Sequence, residues 1–490
     1  MTKAIAGLEP ARVWHYFAEI AQVPRCSKHE ERIREYVLKT AKGLGLQARV
    51  DGVGNVAIRK PASGGHERAP SVALQGHLDM VCEKNKDKVH DFSKDAIELV
   101  RNGDWMTANG TTLGADNGIA VASILAVLED KSLSHGPLEA LFTIDEETGL
   151  TGAGGLASDL LESRILLNLD SEEEYAVYVG CSGGRDTTGT WSVTYDDVPA
   201  KAVPGHLAVT GLRGGHSGLE IDKGRGNAVK LLGRALIQLD ALGARIASLQ
   251  GGNKRNAIPR EAEALVWITP ANWDEAMQAI AWFDEIARAE LQTVEPDLKI
   301  QLSHQKGARR GGVIKKSLQK KLLQTLSALP HGVVKMSADI EGLVETSTNV
   351  ASIATDRAKK RIVLATSQRS SVASEIEEIC HTVSSILTLG GAEASGSDGY
   401  PGWKPNLDSE ILKVAIAVHK QIFGKEPAVK AIHAGLECGI IGEKMPGMDM
   451  VSFGPTLEEV HSPDERLNIP SVGRFYQYLT GILETVATER

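Results

Sequence analysis

No apolar stretch in this 490-residue chain approaches the ~20 residues needed to cross a bilayer as a helix, so a membrane-spanning protein is not expected. The N-terminus, MTKAIAGLEPARVWHYF, lacks a cationic start followed by an apolar core and a small-residue cleavage site, so a secretory signal is not expected either. Excess positive charge is missing too. Lys and Arg number 54 against 63 Asp and Glu, a formal net charge of −9, which argues against a nucleic-acid or anionic-membrane surface. Cysteine is scarce: Cys26, Cys82, Cys181, Cys380 and Cys438 include no C-x-x-C pair, which removes a zinc-finger framework. Odd in number and scattered, they suit reduced thiols and a cytoplasmic location. The expected partner is a small molecule.

What is present points to an α/β protein of more than one domain. The length exceeds what one hydrophobic core usually supports, and 42% hydrophobic composition is ordinary for globular chains. Ser27-Lys28-His29-Glu30 reads as a capping box, and Ile33, Tyr36, Val37, Ala41 and Leu44 follow at helical spacing, so a helix is expected over 28–44. A hairpin is expected over 47–59, around Asp51-Gly52 and Gly54-Asn55. SVALQG (71–76), LEALFTI (138–144) and RILLNL (164–169) read as buried strands, with a helix over 117–130 between the first two. From about residue 187 the texture changes to a βαβ-like alternation, with strand-like 205–212 and 264–270 and helix candidates at 225–242 and 273–293. The expected architecture is a mixed, mostly parallel sheet flanked by helices, its catalytic domain split between 1–186 and 399–490. An inserted α+β lid domain spans 187–398 and ends at the Gly/Ser-rich stretch 390–399.

Chemistry enters at the ends of the apolar runs. In GHLDMV (76–81) an imidazole and a carboxylate two residues on point to one side of a strand, so His77 can bind a metal while Asp79 holds its ring. Alone, such a pair is more often a surface His. Asp116 opens a helix after TTLGA and could be a simple N-cap. Asp145-Glu146-Glu147 follows a strand directly, and three adjacent acids repel unless cations or protons compensate, although a solvated acidic loop is the bland alternative. Asp170 ends RILLNLD in the same way. Open α/β sheets gather ligands in the crevice beyond such strand ends, so His77, Asp116, Glu147, Asp170 and His461 read as one site. Three carboxylates and a bridging solvent anion offset two divalent cations, whereas one cation would leave the cluster strongly anionic. Nitrogen and oxygen donors without thiolates suit two catalytic zinc ions, with manganese or cobalt able to occupy the same set.

The chain resembles the aminoacylhistidine dipeptidases, also called Xaa-His dipeptidases or peptidase D, within the broad group of two-zinc dipeptidases, aminopeptidases and deacylases. The likeness runs through LQGHLDMV (74–81), TTLGADNG (111–118), NLDSEEE (168–174), GGHSG (214–218), RNAIPRE (255–261), ETSTNVA (345–351), YPGW (400–403), IHAGLECG (432–439), DMVSFGPT (449–456) and HSPDE (461–465). It implies Asp116 as bridging ligand, His77 and Asp170 completing one zinc sphere, and Glu147 and His461 the other. It further implies Glu146 as general base toward a zinc-bound water, Asp79 as the residue orienting His77, and a cis peptide at Asp116-Asn117. His216 resembles an oxyanion stabiliser, and Asn256, Arg369 and Gly435 resemble substrate-binding positions, Arg369 gripping the terminal carboxylate. The implied activity is hydrolysis of dipeptides of the Xaa-His, carnosine-like type with broad tolerance at the N-terminal residue, in a homodimer.

Rival readings are an amino-acid N-deacylase of the same superfamily, or a non-catalytic metal-binding protein, against which Glu146 argues. Gly152-x-Gly154-x-x-Ala157 imitates a dinucleotide fingerprint but follows the acidic loop rather than a strand. KGARRGG (306–312) and KKSLQKK (315–321) read as a solvated loop and helix face, and Cys82 and Cys438 as buried small apolar residues.

Overall fold

The computed structural model describes residues 3–488, which fall into two compact units. The first holds the chain up to Gly180, Trp403–Ala431 and the chain from Leu436 onward, and the second holds Cys181–Gly402 and Ile432–Gly435.

Among the described residues the first unit carries an eight-stranded sheet in the order Gln47–Val50, Val56–Lys60, Leu138–Thr143, Val72–His77, Ile165–Asn168, Asp449–Ser452, Ala176–Cys181, Ala428–Ile432. Its centre, the strands 138–143, 72–77, 165–168 and 449–452, is parallel. The 47–60 hairpin adds on antiparallel to 138–143, and 176–181 adds on antiparallel to 449–452. Both VALQGH and LEALFT are buried at every position, as strands covered on both faces require. The helix Ala115–Glu129 is apolar all round and packs against the 72–77 strand and the helix Ala11–Ile20, whose Trp14 and Phe17 are fully buried. Parallel pairing brings His77 opposite Thr143 and Gln75 opposite Asn168, so the loops leaving these three strands start side by side.

Two expectations about the N-terminal region fail. The helix begins at Glu31 rather than 28, its N-cap Glu30 makes no side-chain cap, and Lys28 has φ of 68°, outside helical space. Ser27 instead donates to Asp79 Oδ2 at 2.8 Å, and Glu30 accepts from Lys28 N at 2.7 Å and Asp145 N at 3.1 Å. The capping-box residues serve the site rather than the helix. Nor are all five cysteines reduced: Cys26 and Cys82 form a disulfide with Cα atoms 5.7 Å apart. The segments meet because Cys26 pairs with Met80 in a parallel bridge, which sets Cys82 within the roughly 4.4–6.8 Å that the bond spans.

The second unit is built on a sheet in the order Lys299–His304, Val203–Thr210, Ala262–Ile268, Arg245–Gly251, Val344–Asp356, Arg361–Ser370, Gly183–Ser192, Glu393–Gly396, with Gly332–Met336 also on 344–356. Every pairing in it is antiparallel, so the βαβ-like texture of the sequence does not produce parallel strands here. Helices Ala228–Ala241, Trp273–Leu291, Lys316–Ala328 and Ala373–Leu389 supply apolar residues to one core with the sheet, Leu232 and Leu236 joining Val209, Val266 and Leu364.

Candidate active site

The loops beyond the three central strands converge. His77, the last residue of its strand and fully buried, lies with Nε2 3.1 Å from Asp116 Oδ1 and 3.3 Å from Asp170 Oδ1. His461 Nε2 lies 3.1 Å from the other oxygen of Asp116, Oδ2, and 2.9 Å from Glu147 Oε2. Asp116 therefore gives one oxygen to each imidazole. Two donor sets result, His77-Asp116-Asp170 and Asp116-Glu147-His461, and in each the donor atoms lie within 4.8 Å of one another.

The local chain explains these positions. The Asp116-Asn117 peptide is cis, as the resemblance implied, and the first turn of the helix is non-helical there. Asn117 ties two neighbouring loops together: its Oδ1 accepts from His77 N at 3.2 Å and its Nδ2 donates to Leu169 O at 3.0 Å, one residue before Asp170. A Cβ on residue 76 would stand 2.5 Å from Asn117 Oδ1, so glycine fits there closely. The acidic triplet is shaped by Asp145, at φ of 49°, whose carboxylate accepts from Thr148 and Thr151. Asp79 then accepts from Glu146 N at 3.0 Å and Glu147 N at 3.3 Å while its Oδ1 stands 3.4 Å from His77 Nδ1. One carboxylate thus orients both an imidazole and the turn that carries the two glutamates.

Electrostatics follow from burial. Burial disfavours a charged His77, yet the carboxylates of Asp170, Asp116 and Asp79 raise its pKa well above the ordinary imidazole value. Contacts to Asp116 and Glu147 raise His461 to about 11. Burial works against the charge of Asp116, but the two imidazoles hold its pKa low. Asp79 is held at about 2, the His77 contact and the Glu146 amide outweighing burial. Burial raises Asp170 to about 6, and burial with the nearby charges of Asp170 and Glu147 raises Glu146 well above the usual carboxylate range. Without cations, the cluster balances itself with protons.

The donor atoms fit metal ions. Glu147 Oε1 and Asp170 Oδ1 are buried without a hydrogen-bond partner, leaving lone pairs for a cation, and all donors are nitrogen or carboxylate oxygen.

Beneath the site runs a polar network that the sequence did not flag. Gln75 Nε2 and Thr143 Oγ1 each donate to Glu437 Oε2 at 2.6 Å, and Asn168 Nδ2 donates to Gln75. Burial pushes Glu437 up to about 8. Polar residues inside the apolar runs VALQGH and ILLN were the available signal, since a buried amide needs partners.

In the second unit His216 pairs with Ala257, and Ser217 N donates to Asn256 O at 2.8 Å, so the His216 and Asn256 segments adjoin. His216 Nδ1 accepts from Gly218 N at 3.2 Å and Leu219 N at 3.0 Å, which leaves the proton on Nε2. Burial, then the charge of Arg369, lowers its pKa to about 4, so it is neutral at neutral pH. Asn256, Arg369, Arg255, Ser367 and Tyr400 line a cavity of about 200 Å³. Arg369 is 7% exposed and donates to Tyr400 Oη at 2.9 Å, while its Nε has no partner. A Cβ on Gly435 would stand 2.9 Å from the Tyr400 ring, so Gly435 makes room for the tyrosine that holds Arg369.

An open α/β sheet with two adjoining donor sets at its strand ends defines the class first, an α/β enzyme built to hold metal ions. The particular family follows from comparison: the model of Peptidase family M20/M25/M40 matches residues 73–485, and the chain belongs to that family, a hydrolase acting on peptide bonds. It is 42% identical over 484 residues to the cytosol non-specific dipeptidase of Escherichia coli (strain K12), covering 98% of this chain and 99% of that one. The crystal structure of an aminoacylhistidine dipeptidase from Vibrio alginolyticus superposes with a TM-score of 0.90 at 43% identity, over 98% of each chain. A tripeptidase from Staphylococcus aureus, at 16% identity and a TM-score of 0.58 over 98% of this chain and 100% of that one, shares the fold. Among the described residues no helix is long and apolar enough to cross a membrane.

Proposed function

We propose that this chain is a dinuclear zinc dipeptidase that cleaves dipeptides of the Xaa-His type with broad tolerance at the N-terminal residue. The observation that carries the reading is Asp116, whose two oxygens face two different imidazoles at 3.1 Å each. His77 and Asp170 would hold one ion with it, and Glu147 and His461 the other. When bound, the ions, zinc or in its place manganese or cobalt, supply Lewis-acid polarisation of the peptide carbonyl and acidify the attacking water.

The chain's own residues do the rest. Glu146, whose buried carboxyl has a raised pKa, takes the proton of the attacking water and hands it to the leaving amine. Asp79 keeps the His77 ring and the Glu146-Glu147 turn in register. His216, neutral and with its proton on Nε2, is suited to donate to a developing oxyanion. Arg369, braced by Tyr400, grips the terminal carboxylate, with Asn256 and Gly435 shaping the same pocket. Such a grip requires a free C-terminal carboxylate, which a dipeptide presents. The names of the two full-length relatives, both dipeptidases, support this substrate class.

The test is substrate profiling of metal-stripped protein reloaded with zinc, against Xaa-His dipeptides, other dipeptides, tripeptides and N-acyl amino acids. Dipeptide hydrolysis that is abolished by stripping and restored by zinc supports the reading. Preferential release of acyl groups from N-acyl amino acids would replace it with a deacylase.

A further inference from the structure

The two imidazole ligands sit on loops far apart in sequence, and one buried carboxylate joins one of these loops to Asp116. Glu465, four residues after His461 and 2% exposed, accepts four consecutive backbone amides: Leu113 N at 2.7 Å and Gly114 N at 2.9 Å on Oε2, Ala115 N at 2.8 Å and Asp116 N at 3.3 Å on Oε1. Both oxygens are used, and the last amide belongs to the residue that faces both imidazoles. Its own loop is fixed as well, since Glu465 N donates to Ser462 O at 3.1 Å and Ser462 Oγ to Glu459 O at 2.8 Å.

Arg25, 3% exposed, adds the third loop. It donates to Leu78 O at 3.1 Å and Asp79 O at 2.8 Å with one nitrogen and to Gly114 O with another. Gly114 has φ of 69°, and a Cβ there would come 2.5 Å from Arg25 Nη2, so a larger residue would be strained and would push against the guanidinium. The loops 77–79, 113–116 and 461–465 are thereby locked by one anion and one cation that do not themselves face the donor sets.

We propose that Glu465 is the positioning residue of the metal centre: it sets Asp116 for both ions and ties that setting to His461, so its replacement weakens both metal sites together. The inference rests on Asp116 being the shared ligand. A residue that carries ligands through hydrogen bonds in this way typically controls about 10- to 100-fold in metal affinity. Glu465→Gln is nearly isosteric but turns an amide NH2 toward two backbone N–H groups, which repels where the carboxylate attracts.

The test titrates metal-stripped full-length protein with zinc by calorimetry and measures bound metal after dialysis, for Glu465→Gln, Glu465→Asp and a control. Glu295→Gln is the control, because Glu295 is likewise buried and accepts backbone amides, from Arg213 and Gly226, in the second unit. Expected is a weakening of both ions by about 10- to 100-fold in Glu465→Gln, partial recovery in Glu465→Asp, and no change in Glu295→Gln. Parent-like binding of two ions by Glu465→Gln, or equal losses in Glu465→Gln and Glu295→Gln, overturns the proposal. If Glu465→Gln yields no folded protein, Glu465→Asp decides: weakened binding supports the role and parent affinity overturns it. Because the readout is metal binding, a protein that holds two ions but cleaves no dipeptide would sink the dipeptidase reading and leave this one standing.

Discussion

Loading the site with metal should expel protons from its two imidazoles. In the metal-free cluster His77 has a pKa well above 6.5 and His461 one of about 11, so both are imidazolium at pH 7. An imidazolium cannot ligate, so binding two ions releases about two protons from these rings. Burial and then the neighbouring charges of Asp170 and Glu147 raise the Glu146 carboxyl pKa, and arriving cations favour its ionised form. Asp170, at about 6, is mostly ionised at pH 7 and joins the release only below that. The two rings alone are therefore expected to yield about two protons per chain at pH 7, and lowering the pH by one unit should weaken binding of the pair by about 100-fold. Calorimetric titration with zinc in two buffers of different ionisation enthalpy reads the number directly. Fewer than about one proton per chain at pH 7 would mean that these side chains do not hold the ions.

Three further outcomes are expected. Under the proposed role of Glu146 as proton carrier rather than ligand, Glu146→Gln should lower kcat by about 100- to 10,000-fold while elemental analysis still finds the parent metal content. Arg369→Ala should raise KM for a free dipeptide and leave KM for the corresponding dipeptide amide unchanged, and Gly435→Ala should do the same more weakly, because its Cβ, 2.9 Å from the Tyr400 ring, displaces the hydroxyl that braces Arg369; equal effects on acid and amide would contradict the carboxylate grip. In the metal-free protein the raised pKa of His461 contributes stability that is fully present below about 6.5 and lost as pH rises toward about 11. Its Tm should therefore fall across that window, and His461→Ala should show a shallower fall.

The placement of the site was legible because binding residues in an open α/β sheet stand where apolar runs stop, and apolar runs are visible in a single sequence. His77, Asp116, Glu147, Asp170 and His461 could be placed at such junctions, and the structure brings all five together. The braces behind them were not legible. Ser27 and Glu30 carry a helix-capping pattern that serves Asp79 and Asp145 instead, because the geometry of a turn at Lys28, not the residue types, decides where a hydroxyl points. Glu465 and Arg25 meet groups roughly 350 and 50 to 90 residues away, and no local pattern encodes a partner at that distance. The Cys26-Cys82 bond has the same origin, an isolated bridge between distant segments. In the second unit, strand and helix texture was readable, but antiparallel order depends on which strands meet, which periodicity leaves open.

The proposed two-ion centre requires Asp116 to be shared between the ions. Crystals grown with zinc and measured on either side of its absorption edge test this most directly. Two anomalous peaks flanking the Asp116 carboxylate are predicted, one reaching His77 and Asp170 and the other Glu147 and His461. A single peak, or peaks that leave Asp116 without a metal contact, would contradict it.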